Sequence, residues 1–411
     1  TSYELKSGDN EHMGSALEID ILPDTELVNI YYSTTDGAEA LQWLAPVQTA
    51  GGDHPFLFTQ SQAILARTWI PLQDSPGIRF TYEAKVTVPS ELLALMSADN
   101  PQEKNADGVY NFKMEQPIPA YLLALAVGNL TFEPIGERTG VYAEPEIIEK
   151  AVYEFAEVDE MLAIAENLYG PYRWERYDLL VLPPSFPFGG MENPRLTFAT
   201  PTILAGDRSL TSLVAHELAH SWSGNLVTNA TWNDFWLNEG FTVYFENRIM
   251  EEMYGKSYAE MLASLALKGL KEEVKSMTEA GNAADTRLKL DLNDRNPDEG
   301  VTSIAYDKGY FFLRRLEEIV GREKFDAFLA EYFKENAFET MTTEDFIAYT
   351  NKNLFEKNNI PVDSSLYQNW IYGEGLPENI PEVSAERFVK VDSVLSSWLA
   401  GTPAPELKTE D

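Results

Sequence analysis

The chain has 411 residues, with 31 Lys or Arg against 66 Asp or Glu, so its formal net charge at pH 7 is −35. A charge this negative repels phosphate backbones and anionic lipids, which argues against nucleic acid and membrane surfaces as partners. No apolar run reaches the roughly 18 residues of a transmembrane helix, so we expect no membrane span. The length exceeds what one hydrophobic core usually supports, so two or three domains are expected.

The chain contains no Cys, which excludes disulfides, thiolate metal sites and iron–sulfur clusters. We favour a cytoplasmic location, and a periplasmic or secreted protein that avoids disulfides stays open. The chain begins with Thr-Ser-Tyr-Glu and shows no signal-peptide pattern, which we interpret as a truncated or processed end.

Up to about residue 132 the pattern is typical of β-strands. Apolar and polar side chains alternate from Ile78 to Val88, which predicts a long half-buried strand. Leu17, Ile19 and Ile21 show the same alternation. We therefore assign residues 1–132 to an incomplete N-terminal β domain.

From about residue 145 the apolar period becomes helical, as at Ile147, Val152 and Phe155. Residues 177–182 predict a short buried strand, and residues 231–373 are mainly helical. We assign residues 133–373 to a second domain of α/β type.

A Gly- and Pro-rich stretch, 373–381, predicts a linker. A final helix is expected over 384–399. Residues 374–411 therefore form a linker and the start of a helical segment.

Between Pro183 and Pro194 the chain reads as a stiff loop around Gly189 and Gly190. Two adjacent glycines let a backbone approach a ligand closely, while the prolines restrict the loop. Met191 and Glu192 follow directly. A carboxylate held on such a loop is suited to bind a substrate ammonium group, and an ordinary turn with an incidental Glu is equally compatible with these residues.

The sequence His-Glu-Leu-Ala-His at 216–220 is a candidate metal motif. On a helix, His216 and His220 lie on one face, so both imidazoles reach one ion. Glu217 lies about 100° around the helix from His216, beside the ion, where a general base belongs. A buried amphipathic helix whose histidines are merely satisfied core residues is the structural alternative.

Glu239, inside Trp-Leu-Asn-Glu-Gly, follows His220 by nineteen positions and is the natural third ligand. Two His and one Glu leave one position open to water, as in catalytic rather than structural zinc sites. Zinc is the predicted metal, with cobalt or manganese as substitutes that the sequence does not exclude.

Glu246 follows Glu239 by seven residues, about two helical turns, and so projects from the same face. Ligating histidines usually donate their second N–H to an acceptor, and Glu246 is the candidate for that contact. An ordinary solvated Glu on an acidic helix is the alternative.

Together, Gly-Gly-Met-Glu-Asn, the His-Glu-x-x-His motif and the spacing to Trp-Leu-Asn-Glu-Gly resemble the gluzincin family of zinc aminopeptidases. Phe-Gly-Gly-Met-Glu-Asn-Pro-Arg-Leu-Thr-Phe and Ser-Trp-Ser-Gly-Asn-Leu-Val-Thr-Asn are similar to the branch that contains leukotriene hydrolase and aminopeptidase B. The resemblance covers about residues 15–400. It implies an N-terminal β-sheet domain, a thermolysin-like α/β zinc catalytic domain and the start of a C-terminal helical domain, an α+β multidomain fold.

The resemblance also implies roles for matching positions. His216, His220 and Glu239 match the zinc ligands, and Glu217 matches the general base. Tyr306 matches a tyrosine that stabilises the tetrahedral intermediate. The substrate-binding matches are Gln62 and Glu192 for the peptide amino terminus, Gly189, Gly190 and Met191 for the peptide backbone, and Asp298 for an acidic residue of the substrate pocket.

Three departures from the branch are visible. Phe188 and Val301 stand where the leukotriene hydrolases of the human type have tyrosines, which weakens the case for epoxide hydrolysis. The family's basic residues that hold the substrate carboxylate come from a C-terminal helical domain. This chain ends at Asp411, where that domain would begin, so we expect it to be truncated there as well.

We therefore expect a zinc aminopeptidase with one Zn²⁺ per chain, acting on peptides with a free amino terminus through a zinc-activated water and Glu217. Hydrolysis of a lipid epoxide at the same site and a catalytically incompetent fragment are the alternatives. The acidic charge has two explanations, surface adaptation to salt and attraction of cationic peptide termini. The oligomeric state is not determined by the sequence.

Overall fold

The computed structural model describes residues 2–8, 10, 12–363, 365–384 and 386–401. The strands are β1 (Tyr3–Leu5), β2 (Leu17–Ile19), β3 (Leu41–Leu44), β4 (Phe56–Thr59), β5 (Arg79–Thr87), β6 (Leu93–Met96), β7 (Val109–Pro119), β8 (Leu125–Gly128), β9 (Thr131–Pro134), β10 (Thr139–Ala143), β11 (Tyr177–Val181), β12 (Gly190–Met191), β13 (Thr197–Ala199), β14 (Thr228–Asn229) and β15 (Thr340–Met341). The α-helices are α1 (Ile148–Glu154), α2 (Val158–Tyr169), α3 (Ser212–Ala219), α4 (Trp236–Tyr254), α5 (Lys256–Glu279), α6 (Gly309–Val320), α7 (Arg322–Glu335), α8 (Thr343–Thr350), α9 (Ser365–Trp370) and α10 (Glu386–Leu399). Two π-helical turns cover Ile304–Lys308 and Asn351–Glu356.

The chain before residue 130 is built from antiparallel sheets. Strands β3, β4, β8 and β6 are hydrogen-bonded in that order, and β5 pairs with β7 so that Tyr82 lies opposite Met114. Side chains along β5 alternate between partly buried and exposed because one face covers the core and the other meets water. The predicted β character is confirmed. Strand β2 also forms, but it pairs only with β1 and its Leu17 is exposed.

A mixed five-stranded sheet follows, in the order β12-β13-β11-β10-β9. The pairs β10–β11 and β11–β13 are parallel, while the two outer pairs are antiparallel. Helices α1 and α3 pack against this sheet, and β11 is buried along its whole length. The short buried strand predicted at 177–182 is therefore confirmed. The Gly-Gly loop leaves the sheet directly after β11, and α3 begins shortly after β13.

Helix α4 is the central helix of the second half. It packs against α3, α5, α6 and the π-helical turn Ile304–Lys308. Residues Trp236 to Phe245 are all buried, as expected for a helix covered on every side. The predicted helical character of 231–373 is confirmed. No helix in the described ranges is both long and apolar enough to cross a membrane.

The structure leaves the expected domain boundaries untested. The expected boundary at 132 falls inside β9, and that at 373 falls in a turn after α9. Both boundaries stay predictions. The expected final helix is α10, and residues 402–411 lie outside the described residues.

Candidate metal centre and cleft

Helix α3 carries the His-Glu-x-x-His motif on its last two turns. His216 lies within the helix and His220 follows its end, with the two rings 4.9 Å apart. The Nε2 atoms of His216 and His220 each lie 3.4 Å from Oε2 of Glu239. The ligand atoms of these three residues all lie within 4.8 Å of one another. The structure therefore brings together the three residues that the sequence proposed as ligands.

The position of Glu239 depends on how α4 begins. Asp234, just before the helix, is fully buried and accepts hydrogen bonds from Thr343 N, Thr343 Oγ1 and Lys289 Nζ. These contacts anchor the helix start against two distant segments of the chain. Glu239 lies in the first turn of α4, where the helix dipole favours a negative charge.

The outer nitrogens of both imidazoles have partners. His216 Nδ1 lies 3.1 Å from Glu246 Oε2, and His220 Nδ1 lies 2.9 Å from the carbonyl oxygen of Ser223 and 3.1 Å from Thr242 Oγ1. An acceptor at Nδ1 holds the proton there and leaves Nε2 free to bind a cation. Ser223 and Thr242 were missed from the sequence. Thr242 was detectable, because it lies three residues after Glu239 and so on the same helical face.

These residues fit a zinc ion. Zinc ligands lie about 2.1 Å from the metal, and two such ligands at the tetrahedral angle are about 3.4 Å apart. The two His–Glu distances of 3.4 Å match that separation. Glu239 Oε2 is buried and has no hydrogen-bond partner in the described part of the chain, as expected of an oxygen reserved for a cation.

Glu217 lies next to the three proposed ligands, and its carboxylate, that of Glu192 and the His220 imidazole also offer ligand atoms within 4.8 Å of one another. Its side chain is 6% exposed, and Oε2 has no hydrogen-bond partner among the described residues. Burial raises its pKa to about 8. A bound cation would oppose that rise because it favours the ionised carboxylate. A Cβ atom on Gly190 would lie 2.3 Å from Glu217 Oε1, so this position requires glycine.

The Gly-Gly loop forms one wall of the cleft. Gly190 and Met191 make the edge strand β12, and Thr200 N donates to the carbonyl oxygen of Gly189. Glu192 follows and is 4% exposed, and its carbonyl oxygen accepts a hydrogen bond of 2.8 Å from Asn225 Nδ2. Within the described ranges, Oε1 of Glu192 has no partner. Burial raises the pKa of this carboxyl group.

The N-terminal part of the chain also lines the cleft. Gln62 lines the cleft, and the next residue, Ala63, donates its N–H to Asp298 Oδ1 at 3.2 Å. Gln60 also lines the cleft and was missed from the sequence. Its Oε1 is buried without a partner in the described residues, and its Nε2 lies 3.6 Å from Met191 Sδ.

Tyr306 lies on the π-helical turn Ile304–Lys308, and its ring is stacked 6.0 Å from that of His216 at an angle of 14°. Burial, and then the negative charges of Glu239, Glu192 and Glu217, raise the pKa of Tyr306 well above its usual value. The hydroxyl group therefore stays protonated and able to donate a hydrogen bond.

All of the proposed site residues line one cleft of about 920 Å³. The acidic side chains that line it are Glu39, Glu192, Glu217, Glu239, Glu246 and Asp298. No Lys or Arg side chain described by the structure lines it. Phe188 and Val301 also line the cleft, so the two expected tyrosine hydroxyls are missing from its wall.

A metal site of two His and one Glu, beside a further buried Glu in an open cleft, is an arrangement typical of metal-dependent hydrolases. A profile of the Peptidase family M1 domain matches residues 153–370, and one of the Peptidase M1 N-terminal domain matches residues 12–122. The chain belongs to peptidase family M1. Together with the ligand set, this family membership identifies the metal as zinc.

The chain is similar to proteins of the predicted branch. It is 46% identical over 383 residues to leukotriene A-4 hydrolase of Xenopus laevis, covering 92% of this chain and 62% of that protein. It is 42% identical over 368 residues to aminopeptidase B of Mus musculus, covering 88% of this chain and 56% of that protein. The structure of native yeast LTA4 hydrolase superimposes with a TM-score of 0.88 at 36% identity, covering 99% of this chain and 64% of that one.

The chain therefore spans less than two thirds of the length of each of these relatives. The predicted branch and the predicted α+β multidomain fold, an N-terminal domain followed by a catalytic domain, are confirmed.

Proposed function

We propose that this chain is a zinc aminopeptidase, which removes the first residue from peptides with a free amino terminus. The observation that carries the proposal is the buried carboxylate of Glu192, which lines the same cleft as the metal site and whose Oε1 has no protein partner among the described residues. A buried carboxylate oxygen without a partner is costly unless a ligand completes it. A substrate ammonium group supplies both the charge and the donors.

His216, His220 and Glu239 would hold one zinc ion per chain, and Glu246, Ser223 and Thr242 would orient the two imidazoles. Zinc supplies Lewis-acid chemistry, which polarises a carbonyl group and lowers the pKa of water. The fit of the ligand distances to a tetrahedral zinc site supports this assignment.

Glu217 would act as the general base. Its free Oε2 faces the cleft beside the ligands, where it can accept a proton from water and later deliver it to the leaving amine. Tyr306 would donate its hydroxyl proton in a hydrogen bond to the oxyanion, a contact that contributes about 3 kcal/mol in comparable sites.

Glu192 and Gln62, which both line the cleft, would bind the amino terminus, and Gly189, Gly190 and Met191 would align the peptide backbone. These contacts fix the distance from the amine to the metal site, so only the first peptide bond reaches it. The acidic lining supports a cationic terminus as the ligand, because no basic side chain in the described residues opposes it there.

We retain the cytoplasmic location as part of this proposal. The relative named leukotriene A-4 hydrolase raises the alternative of epoxide hydrolysis. Val301 and Phe188 offer no hydroxyl group to a lipid epoxide, and we therefore do not propose it.

The test compares the turnover of aminoacyl-anilides with that of the same compounds acetylated on the amine. The protein used has a measured zinc content. We expect turnover of the free amines, loss of turnover after chelation, and recovery with zinc. Acetylation should nearly stop cleavage because it removes the charge that Glu192 binds. Equal rates on both substrates would contradict an exopeptidase, and no turnover by zinc-loaded chain would favour the incompetent fragment.

A further inference from the structure

The first residue of β5, Arg79, reaches from the N-terminal sheet to the segment that follows the metal-binding helix. Its Nη2 donates to the carbonyl oxygen of Asn225 at 2.5 Å, and its Nη1 donates to Thr228 Oγ1 at 2.6 Å. Its Nε donates to the carbonyl oxygen of Pro117 at 3.0 Å, within its own sheet. The guanidinium group therefore joins strands β5 and β7 to residues 225–228 by three hydrogen bonds.

No carboxylate in the described residues lies within ion-pair distance of Arg79. Burial accordingly lowers its pKa to about 10, which still leaves it charged at neutral pH. A partly buried guanidinium held by neutral oxygens depends on the geometry of its planar donor groups. The three acceptors are therefore fixed relative to one another.

Asn225, one of the residues held by Arg79, directly contacts Glu192, which follows the Gly-Gly loop. Its Nδ2 donates to the carbonyl oxygen of Glu192 at 2.8 Å, and both residues are almost fully buried. The direction of the Glu192 side chain depends on the backbone at that residue. Arg79 thus reaches Glu192 through one intermediate residue.

The side chain of His220 is held by other contacts, although the Asn225 N–H donates to the carbonyl oxygen of His220 at 3.0 Å. His220 Nδ1 is fixed by Ser223 O and Thr242 Oγ1, and Ser223 Oγ donates to the carbonyl oxygens of Leu237 and Asn238. Arg79 makes none of these hydrogen bonds. Loss of Arg79 should therefore leave zinc binding largely unchanged.

We propose that Arg79 is a positioning residue, which acts through Asn225 to hold Glu192 where it binds the substrate's amino group. This inference rests on the proposed function, since it assumes that Glu192 binds the amine. It makes the sheet of β5 and β7 a determinant of amine recognition, in addition to Gln62, which lies on the turn after β4.

The test measures binding of two hydroxamates to zinc-loaded chain. One is an amino acid hydroxamate with a free amine, and the other is the matching acyl hydroxamate without it. Both have the same metal-binding group, so the ratio of their dissociation constants reports the amine contact alone. The variants are Arg79→Met, Arg79→Lys and Asn225→Ala, with Arg248→Met as the matched control. Arg248 is a buried arginine that pairs with Asp326 and does not line the cleft.

We expect Arg79→Met and Asn225→Ala to reduce the preference for the free amine by at least about tenfold, with affinity for the acyl hydroxamate changed less than about threefold. Arg79→Lys should retain part of the preference for the free amine that Arg79→Met loses. Arg248→Met should lower stability without changing that preference. An unchanged preference in both Arg79→Met and Asn225→Ala would overturn the inference. If Arg79→Met does not fold, Asn225→Ala decides alone. Absence of any preference in the unmodified chain would instead overturn the proposed function.

Discussion

The backbones of Gly240 and Gly309 are in direct contact, since a Cβ atom on Gly240 would lie 2.7 Å from the Cα atom of Gly309. Gly240 follows Glu239 on α4, and Gly309 follows the π-helical turn that carries Tyr306. Only glycine at both positions allows the two helices to approach so closely. The contact therefore sets the distance between Tyr306 and the metal centre.

Gly240→Ala should separate the two helices, because its new methyl group meets backbone rather than a flexible side chain. We expect a loss of about 1–3 kcal/mol in the free energy of unfolding, the usual cost of overpacking, and a lower kcat with zinc content retained. Thermal unfolding and anilide turnover measure both effects. Gly269→Ala is the control, since nothing within 4 Å meets its Cβ atom and alanine favours its helix by about 1 kcal/mol. If Gly240→Ala and Gly269→Ala had similar stability and kcat, the contact between Gly240 and Gly309 would not matter for either property.

Glu217→Gln should keep zinc and substrate affinity while lowering kcat at least about 100-fold, because the amide accepts no proton from water. Zinc content and steady-state kinetics on a free-amine anilide are the measurements. Glu160→Gln, on the exposed side of α2, controls for loss of one negative charge. Near-normal kcat in Glu217→Gln would rule out its role as the base.

Most of the site residues that the sequence predicted without a family resemblance follow from helical periodicity, while Glu239 was assigned as the third ligand that such a zinc motif requires. His216, His220 and Glu246 follow from spacings of four and seven residues, since side chains that far apart on a helix lie on the same face. The Gly-Gly loop is also local, because its glycines and prolines act on their own backbone. Local geometry thus predicts which residues share a face or a turn.

The remaining contacts join segments far apart in the chain, and no spacing encodes them. Tyr306 stacks on His216, ninety positions away in the chain, and Asp298 accepts a hydrogen bond from the N–H of Ala63, 235 positions away. Resemblance to a family suggested Tyr306 and Asp298 as site residues, but not these contacts. Arg79 gave no signal at all, because the alternation of β5 predicts only which side chains point inward. Such contacts depend on how the sheets and helices pack.

Lys308 gives a pH-dependent prediction. It is fully buried, its Nζ donates to the carbonyl oxygens of Thr286 and Gly373, and burial lowers its pKa to about 7. Between that value and the usual 10.5 the unfolded chain binds more protons than the folded one, so this residue makes stability rise with pH. Below pH 7 it is charged in both states and contributes no pH dependence.

Lys308→Met should remove that contribution. We expect the free energy of unfolding of the unmodified chain to rise between pH 7 and pH 10 relative to the variant, by at most about 1.4 kcal/mol per pH unit. Denaturant unfolding of both proteins at each pH gives the difference. A difference that is constant across this range would show that Lys308 keeps its usual pKa in the folded chain.

The Asp298 carboxylate carries a negative charge, and its Oδ1 also accepts a hydrogen bond from Ala63 N. These two properties can be separated by substitution. The hydrogen bond holds the backbone of Ala63, the residue after Gln62. We propose Gln62 as a partner of the substrate amine. Asp298→Asn removes the charge but keeps an oxygen that can accept from Ala63, whereas Asp298→Ala removes both. We expect Asp298→Asn to keep the ratio of rates on free and acetylated anilides within about threefold, and Asp298→Ala to lower it about tenfold, the effect of a hydrogen bond worth about 1.4 kcal/mol. Equal losses in both variants would mean that the charge of Asp298, and not its contact with Ala63, determines amine recognition.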